Sequence, residues 1–79
     1  MKILLIEDEL PAARQLTRLI QAHVPGAAIL ETLDSVEGAV RWFRAFPAPD
    51  LVFMDIQIAD GLSLDIFRQV DVSAPVVFN

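Results

Sequence analysis

The sequence predicts one α/β domain built on an open, parallel β-sheet. Short apolar runs at Lys2–Ile6, Ala28–Leu33, Leu51–Met54 and 75–78 alternate with segments whose apolar residues recur at helical spacing. The first and third runs end in carboxylates, Glu7-Asp8 and Asp55. The chain has 79 residues, no low-complexity linker and no internal repeat, which leaves room for one small domain. Strands that alternate with helices imply parallel pairing with right-handed crossovers.

Lys2–Ile6 reads as the first strand, and Pro11 sits where a first helical turn tolerates a missing N–H. Ala13, Leu16, Leu19, Ile20 and Val24 then recur at helical spacing, with Arg14, Gln15, Arg18 and Gln21 largely on the other side. Pro25-Gly26 ends the pattern, so the first helix is expected over roughly 11–23. Ala28–Leu33 is the second strand, with Ile29 and Leu33 alternating against Glu31 and Thr32. Asp34-Ser35-Val36-Glu37 follows as an Asx or Ser cap with a Glu near N3. Val36, Ala39, Val40 and Phe43 form the stripe of a second helix, which Pro47-Ala48-Pro49 stops, since each proline disfavours helix in the residue before it. Leu51-Val52-Phe53-Met54 is apolar at every position, as expected of a central strand covered on both faces, and ends at Asp55. After a loop at 56–61, Leu62, Ile66, Phe67 and Val70 supply a third, shorter helical face, and Pro75-Val76-Val77-Phe78 begins a fourth strand.

Composition narrows the function classes. A net charge of −5 and a pI near 4.5 argue against direct binding to nucleic acid or anionic membrane, because phosphate neutralisation needs clustered Lys and Arg. With 54% hydrophobic and 22% charged residues the chain is too apolar for disorder, and no apolar run reaches the roughly 18 residues of a membrane span. The absence of cysteine removes disulfides, thiolate zinc sites and cysteine nucleophiles, and fits a reducing compartment. The apolar start is too short for a secretion signal and runs into Glu7-Asp8-Glu9, so a cytoplasmic location is expected. The first strand-to-helix turn, residues 6–11, has neither glycine nor lysine, which disfavours dinucleotide and P-loop sites. Such an acidic turn repels a free phosphate unless a cation intervenes.

In a doubly wound sheet, ligands bind beyond the carboxyl ends of the strands where the strand order reverses. Glu7, Asp8 and Asp55 are expected to converge there. Two carboxylates about 4 Å apart repel by roughly 4 kcal/mol at an effective dielectric near 20, so the cluster should raise a pKa or recruit a hard cation. Mg2+ suits it best, with one or two carboxylates, waters, a substrate phosphate and a backbone carbonyl such as that of Gln57 as ligands. Asp55, alone at the end of the strand expected to be most buried, is the candidate nucleophile for an aspartyl phosphate. Glu7 and Asp8 are suited to holding the ion.

Other residues read as structural. In isolation, acidic residues ahead of a helix serve as dipole partners or caps; it is their joint placement with Asp55 that favours a functional role. His23 is a favourable charge near a helix C-terminus. Trp42, Phe43 and Phe46 are core or partial surface packing. Asp60-Gly61 is turn chemistry, with Gly61 permitting a backbone angle that other residues avoid.

Ile3-Leu4-Leu5-Ile6-Glu7-Asp8-Glu9 and Leu51-Val52-Phe53-Met54-Asp55-Ile56-Gln57-Ile58-Ala59-Asp60-Gly61 resemble the receiver domain of two-component response regulators, and Asp34-Ser35-Val36-Glu37 strengthens the match. The wording is most similar to the LytTR (LytR/AlgR-type) class, in which a DNA-binding domain follows the receiver. The resemblance implies a flavodoxin-like sheet with strand order 2-1-3-4, incomplete beside a full five-stranded receiver. It implies that Asp55 is the phosphoacceptor, that Glu7 and Asp8 are the acidic metal-binding pair, and that Gln57 lends its main-chain carbonyl to Mg2+. A sensor histidine kinase would donate the phosphoryl group. Ala59 stands where many receivers have proline, the switch Ser or Thr falls just beyond Asn79, and the strand-five Lys lies outside the chain. Residues 1–79 are therefore expected to be the N-terminal portion of a receiver, roughly two thirds of the usual domain.

The resemblance implies a signalling switch rather than a turnover enzyme. A haloacid-dehalogenase-like phosphatase also uses an aspartate after a parallel strand, but it needs a second acid where this chain has Gln57. A phosphorylation-independent dimerisation or interaction module is the other alternative. An open edge at strand four and an uncovered first-helix face are expected to make the chain a homo-oligomer. DNA would be contacted only through an output domain outside these residues, and no membrane contact is expected.

Overall fold

The computed structural model describes residues 1–79. The chain runs through β1 (Lys2–Ile6), α1 (Leu10–His23), β2 (Ala28–Leu33), α2 (Val36–Ala45), β3 (Leu51–Met54), β4 (Gln57–Ile58), β5 (Gly61–Leu62), a 3-10 turn (Ser63–Asp65), α3 (Ile66–Gln69) and β6 (Val76–Phe78). Four strands make a parallel sheet in the order β2-β1-β3-β6, which is the expected 2-1-3-4 order with β6 as the fourth predicted strand. β2 and β6 are its edges.

The alternation of side chains along β1 divides the core in two. Leu4 and Ile6, with Val52 and Met54 of β3, face α2 and α3 and are joined there by Val36, Ala39, Val40, Ile58 and Ile66. Ile3 and Leu5 face α1 and close against Ile20, with Ile29, Leu51 and Phe53 only half-buried around them. The strand fully covered on both sides is thus β1, whereas β3 is fully buried only towards α2. The sequence marked β3 for that place because its residues are all apolar. The difference lies in the helices: one covers the α1 side of the sheet and two cover the other. On α1 the burial falls on Ala13 and Ile20, while Leu19 of the predicted stripe is 50% exposed.

The expected alternation of β2 is interrupted. Ile3 pairs with Ile29 but Leu4 pairs with Glu31, so Leu30 is skipped. A one-residue shift reverses which face each following side chain meets. Ile29 therefore packs on the α1 side and Leu33 on the α2 side, although their spacing alone would place them together.

Residues 56–61, expected as a loop, contain most of an antiparallel hairpin in which Gln57 pairs with Leu62 and Ile58 with Gly61. Gly61 has φ +144°, a conformation that a side chain would strain. The third helix is shorter than its stripe. α3 has four residues, Ile66 is buried, Val70 is half-buried, and Leu62 and Phe67 face outward. The helix ends where Val70 turns to extended backbone, with φ −141° and ψ 154°.

Candidate functional site

Two adjacent parallel strands bring the acidic residues together. Ile6 is in register with Met54, so the residues that follow them leave the sheet side by side. Hydrogen bonds extend the ladder one step further: the Asp55 N–H donates to the Ile6 carbonyl at 2.9 Å, and the Glu7 N–H to the Leu33 carbonyl at 2.8 Å. Both backbones are thereby fixed before their side chains depart. The carboxylates of Glu7, Asp8 and Asp55 offer oxygen atoms that all lie within 4.8 Å of one another. Glu7 is buried, Asp55 half-buried and Asp8 exposed.

The cluster has few hydrogen-bond donors. Glu7 Oε2 accepts the Glu9 N–H at 3.2 Å, and Asp55 Oδ1 accepts the Ile56 N–H at 2.9 Å. The ion pairs of the molecule, Arg41–Glu37 and Arg68–Asp65, lie on helix surfaces away from it. Burial pushes the Glu7 carboxyl above its ordinary value, and the charges of Asp55 and Asp8 add to that effect, while the Glu9 N–H opposes it. A compact set of hard oxygen donors whose negative charge is uncompensated by protein cations fits a divalent cation of the Mg2+ type.

The hairpin places Gln57 next. Ser63 donates its N–H to the Ile56 carbonyl at 2.8 Å, so the neighbouring pair Gln57–Leu62 occupies the non-hydrogen-bonded position of the antiparallel ladder. The Gln57 carbonyl is therefore free of the ladder and suited to a further ligand. Its side chain is exposed.

Two further residues of this region escaped the sequence reading. Ser63 is fully buried and donates its hydroxyl to the same Ile56 carbonyl at 3.1 Å, closing the segment that begins at Asp55. Asp60 does more than turn the chain. Its Oδ1 accepts the Val36 N–H at 2.6 Å and its Oδ2 the Glu37 N–H at 3.1 Å, so it caps α2 from 24 residues away. These bonds, that to Val36 first, hold its carboxyl below the usual 3.8. Ser35 is the N-cap and accepts the Gly38 N–H at 3.0 Å. Glu37 stands at the second helical position rather than near N3, and the expected capping box is not formed. The Ser35 cap is legible from sequence, whereas a cap supplied across the fold leaves no spacing signal.

The residues read as structural lie elsewhere. His23 is exposed in the last turn of α1, with Nδ1 3.0 Å from the Leu19 carbonyl. Trp42 meets Phe43 edge-on at 5.5 Å and Phe46 at 5.2 Å. Trp42 and Phe46 line a groove of about 340 Å3 with Lys2, Leu30 and Glu31, at the end of β1 opposite Glu7.

No family model matches the chain, and no curated protein matches it in sequence. Solved structures do. The response regulator PhyR of Brucella abortus superposes with a TM-score of 0.82 at 25% identity over 98% of this chain and 32% of that one. The N-terminal domain of a response regulator/sensory box/GGDEF 3-domain protein from Carboxydothermus hydrogenoformans gives a TM-score of 0.79 at 28% identity, covering 99% of this chain and 62% of that one. The PhyR response regulator REC domain of Erythrobacter litoralis gives 0.72 at 38% identity, covering 98% and 60%. The chain thus spans from 32% to 62% of the length of these proteins. Its structural neighbours are response-regulator receiver domains, and its fold is the flavodoxin-like sheet that they share.

Proposed function

We propose that the chain is the phosphoacceptor portion of a receiver domain, in which Asp55 takes a phosphoryl group from a sensor histidine kinase. The observation that carries this reading is the convergence of Glu7, Asp8 and Asp55 within 4.8 Å at the ends of adjacent strands of a receiver-type sheet. Glu7, Asp8, Asp55 and the Gln57 carbonyl would hold Mg2+. When bound, the ion neutralises charge on the transferring phosphoryl group. An Asp55 carboxylate oxygen forms the new bond to phosphorus, the bond from phosphorus to the donor histidine nitrogen breaks, and that nitrogen keeps the electron pair. The role is that of a switch, not of a turnover enzyme.

In this reading residues 1–79 are the N-terminal portion of the receiver, and any DNA contact belongs to an output domain outside them. The sequence around Asp55 favours a LytTR-type transcriptional output. No helix is long and apolar enough to cross a membrane, and a cytoplasmic location follows from the reading because a kinase phosphohistidine is made from ATP there.

A phosphorylation-independent interaction module is the second reading. It is favoured by the edge strand β6, where Val77 and Phe78 are each 43% exposed, and by Leu10 and Leu19 of α1, 58% and 50% exposed. Either surface would support a homo-oligomer. Sedimentation across a dilution series tests that association, and a folded monomer at every concentration would remove it.

Intact mass after incubation with a small acyl-phosphate donor and Mg2+ tests the main reading. One phosphoryl adduct is expected, absent from Asp55→Asn and from metal-free samples. A folded chain that gains no adduct, or an adduct that survives Asp55→Asn, overturns it.

A further inference from the structure

We propose that Asp60 is a positioning residue for the Asp55 site: it fastens the segment carrying Asp55 and the Gln57 carbonyl to the start of α2. The proposal rests on the roles given to Asp55 and Gln57 above. The segment from Asp55 to Ser63 leaves the sheet with the Asp55 N–H on the Ile6 carbonyl, and beyond that residue it is held in three ways. Its base is closed by the two bonds from Ser63 to the Ile56 carbonyl. Its middle is anchored by Ile58, which is 4% exposed within the core beneath α2. Its tip is tied by Asp60, which takes the Val36 and Glu37 N–H groups, one on each carboxylate oxygen.

The first tie lies within the segment itself, and the second is apolar and non-directional. Only Asp60 sets the tip against another element with defined geometry. The start of α2 does not depend on it alone, since Ser35 already takes the Gly38 N–H. A Cβ at Gly38 would lie 3.0 Å from the Ser35 hydroxyl, so glycine there keeps that local cap unobstructed. The first two N–H groups of a helix are commonly left to water. Here they are held by a residue on the same short segment as the proposed ligands, so the Asp55 loop and α2 are mechanically joined. Displacement of Gln57 or Asp55 is then resisted by two charge-assisted hydrogen bonds.

The experiment compares Asp60→Ala, Asp60→Asn and Ser35→Ala in the full chain. Amide hydrogen exchange is measured at Ile56 and Ser63 without metal, relative to the β1 amides, and Mg2+ binding is measured by calorimetry. Asp60→Ala should speed exchange at both amides and weaken Mg2+ binding roughly tenfold, as loss of a supporting partner does around metal ligands. Asp60→Asn, which keeps an acceptor oxygen, should recover part of both effects. Ser35→Ala loosens the same helix start and should change neither. Equal responses to Asp60→Ala and Ser35→Ala, or no local change in Asp60→Ala, would reduce Asp60 to a helix cap and overturn the proposal. If the unsubstituted chain binds no Mg2+ and gains no phosphoryl group, the functional reading fails, and the exchange comparison still decides for or against the fastening.

Discussion

Glu7 and Asp60 are carboxylates beyond the same end of the sheet, and their surroundings are opposite. Glu7 is 8% exposed beside two other carboxylates, with a single N–H at 3.2 Å to share its charge. Asp60 is exposed, yet each of its oxygens takes a helix N–H. Accordingly the Glu7 pKa is raised, by burial and then by its acidic neighbours, and that of Asp60 is lowered by its hydrogen bonds. A carboxylate supplied with donors has its need met by the fold and acts structurally. One crowded by other carboxylates is relieved by a proton or by a cation.

The largest effect that sharpens this contrast is stabilisation by metal. A ligand that binds only the native state, at about 100 times its dissociation constant, adds roughly 2.7 kcal/mol. Saturating Mg2+ should raise the midpoint of urea unfolding accordingly, and Asp55→Asn should lose most of that gain. Asp60→Asn should keep a larger part of it than Asp55→Asn does, because Asp60 does not ligate the ion. Equal gains in the unsubstituted chain and Asp55→Asn would break the contrast.

Smaller effects separate the two regions without metal. The repulsion between charges at the outer limit of 4.8 Å is about 1 kcal/mol in water and about 3.5 kcal/mol at an effective dielectric of 20. Glu7→Gln should therefore stabilise the metal-free chain at neutral pH by about 1 kcal/mol, the lower figure being apt where Asp8 is exposed. Ser35→Ala should do the reverse at the helix start, costing about 1 kcal/mol as cap removal commonly does. Denaturant titration reads both, and a destabilising Glu7→Gln would mean that the crowding has been misjudged.

Most of the sheet and the convergence of the acidic residues were legible in the sequence because local signals carried them. The apolar runs set β1, β2 and β3 to their observed bounds, and carboxylates at the ends of β1 and β3 converge once parallel pairing is inferred. What escaped depends on distant partners. The skipped Leu30 redirects Leu33 only because β1 imposes the register. The hairpin of Gln57–Ile58 with Gly61–Leu62 is too short to show a period. Asp60 in an Asp-Gly turn looks like any turn residue until α2 is placed against it. Ser63 interrupts an apolar stripe and is nonetheless fully buried, because the Ile56 carbonyl accepts from both its hydroxyl and its amide.

The finest test is the sign of the pH dependence. The native state holds the Glu7 proton more tightly than the unfolded chain does, so the associated stability is fully present below 4.5 and is lost as pH rises through the raised value. For Asp60 the stability is present above 3.8 and is lost as pH falls through the lowered value. Urea unfolding at a series of pH values should therefore show the advantage of Glu7→Gln shrinking on acidification towards 4.5. The disadvantage of Asp60→Asn should persist there and fade only at pH values below 3.8. The two curves respond to acid in different ranges because one carboxylate resists its charge and the other depends on it. If both faded over the same range, Glu7 and Asp60 would share one electrostatic environment, and the division of this rim into a site and its fastening would fail.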